Sequence, residues 1–153
     1  MGYSFAAGDV AFLRSVAGRA ALEVASTLAL SPASMIADIG ELRGTYAPFD
    51  AAIIETVTCR RKARTKFRHA EDLLLTDDAV QQATAWPVAQ ARAWEIIRRY
   101  PDSVVHDVTC SVGAELMELS LRLGMDSRVE LHTPLMYLSK AETAVHRSIE
   151  VLA

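Results

Sequence analysis

The sequence predicts a mostly α-helical protein. A helical N-terminal domain over residues 1–100 precedes a short strand–helix–strand unit with a terminal helix over residues 101–153. Three observations carry this expectation. Glycine and proline are scarce, at 7 and 5 among 153 residues. That is about 8% of the chain against roughly 12% on average, which disfavours a turn-rich all-β fold. Apolar residues recur at three- and four-residue spacings behind helix-start signals as far as Tyr100. Beyond Pro101 only two short strand candidates stand.

The elements follow in order. Asp9 to Ser15 reads as an opening helix, and a second runs up to Leu28. Ser31-Pro32 has the signature of a third start, a Ser cap before a proline with no N–H to lose, and this helix should stop near Gly44. Pro48 opens a long helix with Phe49, Ile53, Thr56, Val57, Cys59, Ala63 and Phe67 on its buried side. After the apolar run Leu73-Leu74-Leu75, Thr76 caps a short helix through Ala83, with Asp77 and Asp78 in its first turn. Pro87 starts another, with Val88, Ala91, Ile96, Ile97 and Tyr100 expected on or near its buried side. Ser103 to Val108 reads as a strand, Thr109 to Ala114 as a loop, and Glu115 to Leu123 as a helix closed by Gly124. Arg128 to His132 reads as a second strand. Ser139 and Glu142 have the spacing of a capping box for a last helix towards Leu152.

Composition narrows the function. Hydrophobic residues make up 51% and charged residues 23%, which fits a globular chain. A net charge of −3 makes no bulk electrostatic case for nucleic acid or membrane. The most apolar early stretch, Val10 to Leu30, is interrupted by Arg14, Arg19 and Glu23, so neither a membrane span nor a signal peptide is expected. Two thiols, Cys59 and Cys110, fit a reducing compartment, and the expected location is the cytoplasm. Both thiols read as inert core residues. His106 reads as a core histidine, while His69, His132 and His146 share no ligand spacing, so no metal is expected. Trp86 and Trp94 read as packing residues.

The segment Asp107-Val108-Thr109-Cys110-Ser111-Val112-Gly113-Ala114-Glu115 follows a strand and opens a helix. In an incomplete Rossmann-like βαβ unit such a turn approaches a nucleotide-like ligand, and small residues leave it room. Backbone N–H groups at the helix start suit a carboxylate or phosphate. An ordinary strand-to-helix turn has the same spacing.

Val105 to Leu116 resembles motif I of actinobacterial class I S-adenosylmethionine-dependent methyltransferases with a THUMP-like C-terminal domain. That group is distantly similar to trimethylguanosine synthases. Lys62 to Phe67, Leu73 to Thr84 and the opening Met1 to Phe5 resemble the same family, so the similarity runs from residue 1 to about Leu119. The resemblance implies S-adenosylmethionine as cofactor and RNA as the acceptor class. It implies that Asp107 orders the loop, that Cys110, Ser111 and Gly113 face the cofactor, and that Glu115 occupies an acidic position. Thr76, Gln82 and Thr84 would belong to a segment packed over the pocket. Ser111 and Ala114 replace two of the family's glycines. The 47 residues from Asp107 to Ala153 hold no Asn-Pro-Pro-aromatic or Asp-Pro-Pro-aromatic motif. The expectation is therefore weak or absent cofactor binding and no turnover by the chain alone.

Two other readings compete. One is a non-catalytic helical interaction module that forms a homo-oligomer through an unfinished sheet edge. The other rests on Leu119 to Met125 and Glu130 to Thr143, which resemble an internal stretch of 7-cyano-7-deazaguanine synthase, an enzyme using ATP and zinc. Its Ser-Gly-Gly-x-Asp-Ser loop and clustered cysteines are absent, so its catalysis does not carry over. A composite or truncated chain would explain both resemblances.

Finally, Arg60, Arg61, Lys62, Arg64, Lys66 and Arg68 place six of the 16 basic residues within nine positions. They suit RNA phosphates, or else the solvated end of the long helix. The second reading is preferred, because charge runs usually form solvated faces.

Overall fold

The computed structural model describes residues 3–100, 105–106, 112–123 and 131–132. The described residues are mostly helical. Helix α1 spans Ala7–Arg14, α2 Val16–Thr27, α3 Met35–Tyr46 and α4 Asp50–Ala63. A 3-10 turn, Ala70–Asp72, precedes α5, Asp77–Gln82, and α6, Trp86–Arg99. Strand β1 is Val105–His106, α7 is Ala114–Leu123 and β2 is Leu131–His132. No helix among the described residues is long and apolar enough to cross a membrane.

Local chemistry sets the helix ends. The Asp9 carboxylate reaches back to the Ala6 N–H at 2.8 Å and accepts the Tyr3 hydroxyl at 3.1 Å, fixing the start of α1. Ser15 separates α1 from α2, and its hydroxyl oxygen accepts the Gly18 N–H at 3.0 Å. Position 18 must be glycine, since a Cβ there would lie 2.0 Å from the Phe12 carbonyl oxygen. Thr76 caps α5 by accepting the Ala79 N–H at 3.3 Å. Proline occupies the first turn of α6, where no donor is lost.

Helix α4 is the axis of the fold and packs against α1, α2, α3 and α5. Its N-terminal half enters one apolar cluster with Leu13, Ala21, Leu22, Ala25, Leu30 and Leu42, through Ala52, Ile53 and Val57. Phe12 stacks on Phe49 beside that cluster, with ring centroids 4.2 Å apart. The C-terminal half enters a second cluster through Cys59 and Ala63, joined by Phe67, Ala70, Leu73, Leu75, Val80 and Ala83. Ala114 of α7 completes this second cluster, with Val112 and Met117 packed against it.

Four sequence expectations need correction. Helix α3 starts at Met35, not at Pro32, because Ser31 and Ser34 bond to one another first. The Ser31 carbonyl accepts the N–H groups of Ser34 at 3.0 Å and Met35 at 2.8 Å, so a turn precedes the helix. The helix also passes Gly44 and ends at Tyr46, before the cis Ala47–Pro48 bond. Phe67 lies beyond the end of α4, yet the chain folds it back into the second core. In α6 the buried residues are Ala89 and Ala93, while Val88, Ala91 and Tyr100 are exposed. Helix α6 packs against α7, and its buried positions hold alanines rather than the larger side chains.

Strands β1 and β2 pair in parallel, Val105 with Leu131 and His106 with His132. This short pairing does not by itself build a Rossmann-like unit. The remaining positions of both expected strands, Gly124 and the expected helix towards Leu152 lie outside the described residues.

Candidate functional site

The expected cofactor residues fall on two segments. In the upstream one, Thr76 is half-buried and occupied as the α5 cap, Gln82 is exposed at the end of α5, and Thr84 is half-buried just beyond it. In the downstream one, Gly113 is buried with φ at 74°, in the left-handed region that favours glycine. Its carbonyl oxygen accepts the Met117 N–H at 2.9 Å, so it opens α7 directly. Glu115 lies in the first turn of α7 and accepts Arg92 Nη1 at 2.8 Å. Asp107, Cys110 and Ser111 lie outside the described residues.

Tertiary packing brings these segments together. Val80 and Ala83, between the upstream candidates, share the second core with Ala114. The start of α7 is therefore seated on the segment that carries Thr76 and Thr84. Residue types at the start of α7 stay small, through Gly113 and Ala114, and both are buried where the helix meets the second core.

The basic run is engaged by the fold itself. Arg60 Nε donates to the Leu73 carbonyl at 2.9 Å, and burial lowers its pKa while Asp72 and Glu71 oppose that shift. Arg61 donates to three carbonyls at the end of α2: Ala29 at 2.8 Å, Ser26 at 3.0 Å and Leu28 at 2.6 Å. It closes a helix end that lacks intrahelical partners. Lys62 pairs with Asp77, and their hydrogen bond raises the lysine pKa and lowers that of the carboxyl. Lys66 Nζ reaches the Gln81 carbonyl at 2.7 Å. Arg68 Nε meets Glu118 Oε1 at 3.2 Å. Arg64 is exposed and makes no ion pair or hydrogen bond among the described residues. These partners lie on four different segments, so the run forms no single phosphate-binding stripe.

Several residues take places that the sequence did not disclose. Trp94 was expected to pack inside and is 54% exposed on α6, where Ala91, Glu95, Ile97 and Arg98 surround a shallow depression. Trp86 is half-buried beneath the Arg68 guanidinium, 4.1 Å from ring centroid to carbon. His69, Glu71 and Asp72 offer ligand atoms within 4.8 Å of one another, all on exposed side chains. Cys59 is buried, donates to Glu55 Oε1 at 3.4 Å, and has its thiol pKa pushed up to about 12, chiefly by burial. Glu118 and Arg92 were missed altogether. The available signal for Glu118 was a lone acid flanked by Leu116, Met117 and Leu119.

Residues 7–63 match a family model described as a domain of unknown function, DUF8688. An 82-residue stretch is 44% identical to the uncharacterized S-adenosylmethionine-dependent methyltransferase Rv3037c of Mycobacterium tuberculosis strain H37Rv. Its counterpart MT3122 in strain CDC 1551 matches equally. Over half its length the chain is methyltransferase-like. The alignment covers 50% of this chain and 21% of each mycobacterial protein, so the chain spans about a fifth of those relatives. A separate 27-residue stretch is 89% identical to 7-cyano-7-deazaguanine synthase of Chromobacterium violaceum, covering 18% of this chain and 12% of that enzyme. No solved structure matches.

Proposed function

We propose that the chain carries part of an S-adenosylmethionine site from a methyltransferase-like protein acting on RNA, binds the cofactor weakly, and transfers no methyl group alone. The observation that carries this reading is the seat of α7. Gly113 at φ 74° opens the helix directly against the core shared with residues 76–84. Gly113 and Ala114 put no bulky side chain at the helix N-terminus, which suits the amino-acid carboxylate of the cofactor. When bound, the cofactor supplies an electrophilic methyl carbon. Asp107, Cys110 and Ser111 complete the proposed loop, within an incomplete Rossmann-like unit built on β1 and β2.

Weak binding follows from area. A ligand pocket usually buries about 70–90% of a drug-sized ligand, and a loop of this length supplies only part of such a surface. The sequence holds no Asn-Pro-Pro-aromatic or Asp-Pro-Pro-aromatic motif to position an acceptor. The RNA acceptor and a cytoplasmic location belong to the same proposal. The 27-residue match supports a composite origin for the chain rather than a second activity.

Calorimetric titration with S-adenosylhomocysteine tests the reading. The expected Kd is about 0.1 mM or weaker. Gly113→Val should abolish the signal while far-ultraviolet circular dichroism stays helical, because valine resists positive φ and fills the approach. Tight wild-type binding, or binding unchanged by the variant, would overturn it. So would transfer of labelled methyl groups to RNA. Complete absence of binding would favour the interaction-module reading instead.

A further inference from the structure

One ion pair differs from the others in its setting. Glu118 is 5% exposed, and its Oε1 accepts Arg68 Nε at 3.2 Å. Its Oε2 is buried with no hydrogen-bond partner among the described residues. The Arg68 guanidinium lies over the Trp86 ring, and the Trp86 backbone N–H donates to the Lys66 carbonyl at 2.8 Å. Cation and ring are thus held by the same stretch of chain.

A buried carboxylate with one satisfied oxygen is expensive, and such pairs seldom add net stability. What the pair does add is registry. Glu118 and Glu115 sit three residues apart on α7, so they share one helix face. Glu115 pairs with Arg92 of α6, and Glu118 with Arg68 beyond the end of α4. Two pairs from two different segments define both the rotation and the depth of α7. The apolar seat of Ala114 and Met117 alone tolerates sliding, because apolar contact is non-directional.

We propose that Arg68, acting through Glu118, is a positioning residue for the start of α7, and so tunes cofactor affinity without touching the cofactor. This rests on the cofactor reading given above. It assigns Arg68 an intramolecular anion in place of an RNA phosphate.

The test combines two readouts on the full chain. Amide exchange by mass spectrometry follows peptides from α7 and, as reference, from α4. Arg68→Met should speed exchange in α7 by about tenfold or more and leave α4 unchanged. Arg68→Lys should fall between. The double variant Arg68→Met with Glu118→Met removes both charges and should return α7 to within about threefold of wild type, as expected for a coupled pair. S-adenosylhomocysteine affinity should fall and recover in the same order. Unchanged α7 exchange, equal acceleration of α4, or failure of the double variant to recover would each overturn the positioning role. If the wild-type chain binds no S-adenosylhomocysteine, the cofactor reading falls and takes the affinity effect with it. The exchange data then still decide whether Arg68 seats α7.

Discussion

Replacing Arg61 with alanine separates a structural role for the basic run from a nucleic-acid role. The Arg61 guanidinium donates to the carbonyls of Ser26, Leu28 and Ala29, at 3.0, 2.6 and 2.8 Å. Two of these bonds are exposed and one is half-buried. Water can replace the exposed pair, so their loss costs mainly the charge–dipole attraction at the α2 terminus, about 0.5 kcal/mol. The half-buried bond to a charged donor contributes about 1.5 kcal/mol. The sum is about 2 kcal/mol, or a fall in Tm of roughly 4–8 °C for a chain of this size. Arg61→Lys should lose about half as much, since one ammonium cannot span three carbonyls in the fork geometry. Arg64→Ala is the control and should stay within about 0.5 kcal/mol. Thermal melts followed by circular dichroism read all three variants. An Arg61→Ala melt indistinguishable from that of Arg64→Ala would refute the capping argument.

Two further outcomes follow from buried polar groups. Asp38 is 8% exposed and accepts the Leu30 N–H at 2.8 Å and the Ser34 hydroxyl at 2.7 Å, holding Leu30 at φ 47°. Asp38→Ala should cost about 2–3 kcal/mol in urea unfolding, because a buried N–H loses its partner beside a strained residue; a change under about 0.5 kcal/mol would contradict this role. Cys59 and Tyr3 have pKa values raised from 9.0 and 10.0 to about 12, in both cases chiefly by burial. Folding favours their protonated forms, so this stability is complete below pH 9 and is lost as pH rises towards 12. Urea midpoints should decline across that window, and iodoacetamide should label the Cys59 peptide far more slowly in the native chain than in urea. Native labelling at the unfolded rate would show that Cys59 is accessible.

Much of the helical layer was legible because its causes are local. Thr76 caps α5, and Pro87 sits in the first turn of α6, by rules that act within one turn. The buried face of α4, through Ile53, Thr56, Val57, Cys59 and Ala63, follows from the three- and four-residue spacing of the pattern. The left-handed backbone of Gly113 before α7 was not among the sequence expectations, which placed this glycine only in a loop.

Tertiary structure alone decided where the charges went. Arg61 caps a helix that ends more than thirty positions earlier, and Arg68 meets Glu118 fifty positions away. Neither pairing has a periodicity, because each depends on which faces two elements present once their cores have docked. Helix α6 packs against α7 with Ala89 and Ala93 as its buried residues, whereas Tyr100 is exposed although its spacing suits a buried stripe. The same docking placed residues 76–84 beside the start of α7. Hydrophobic periodicity selects a face, but the partner for that face is chosen by shape and volume across the whole chain.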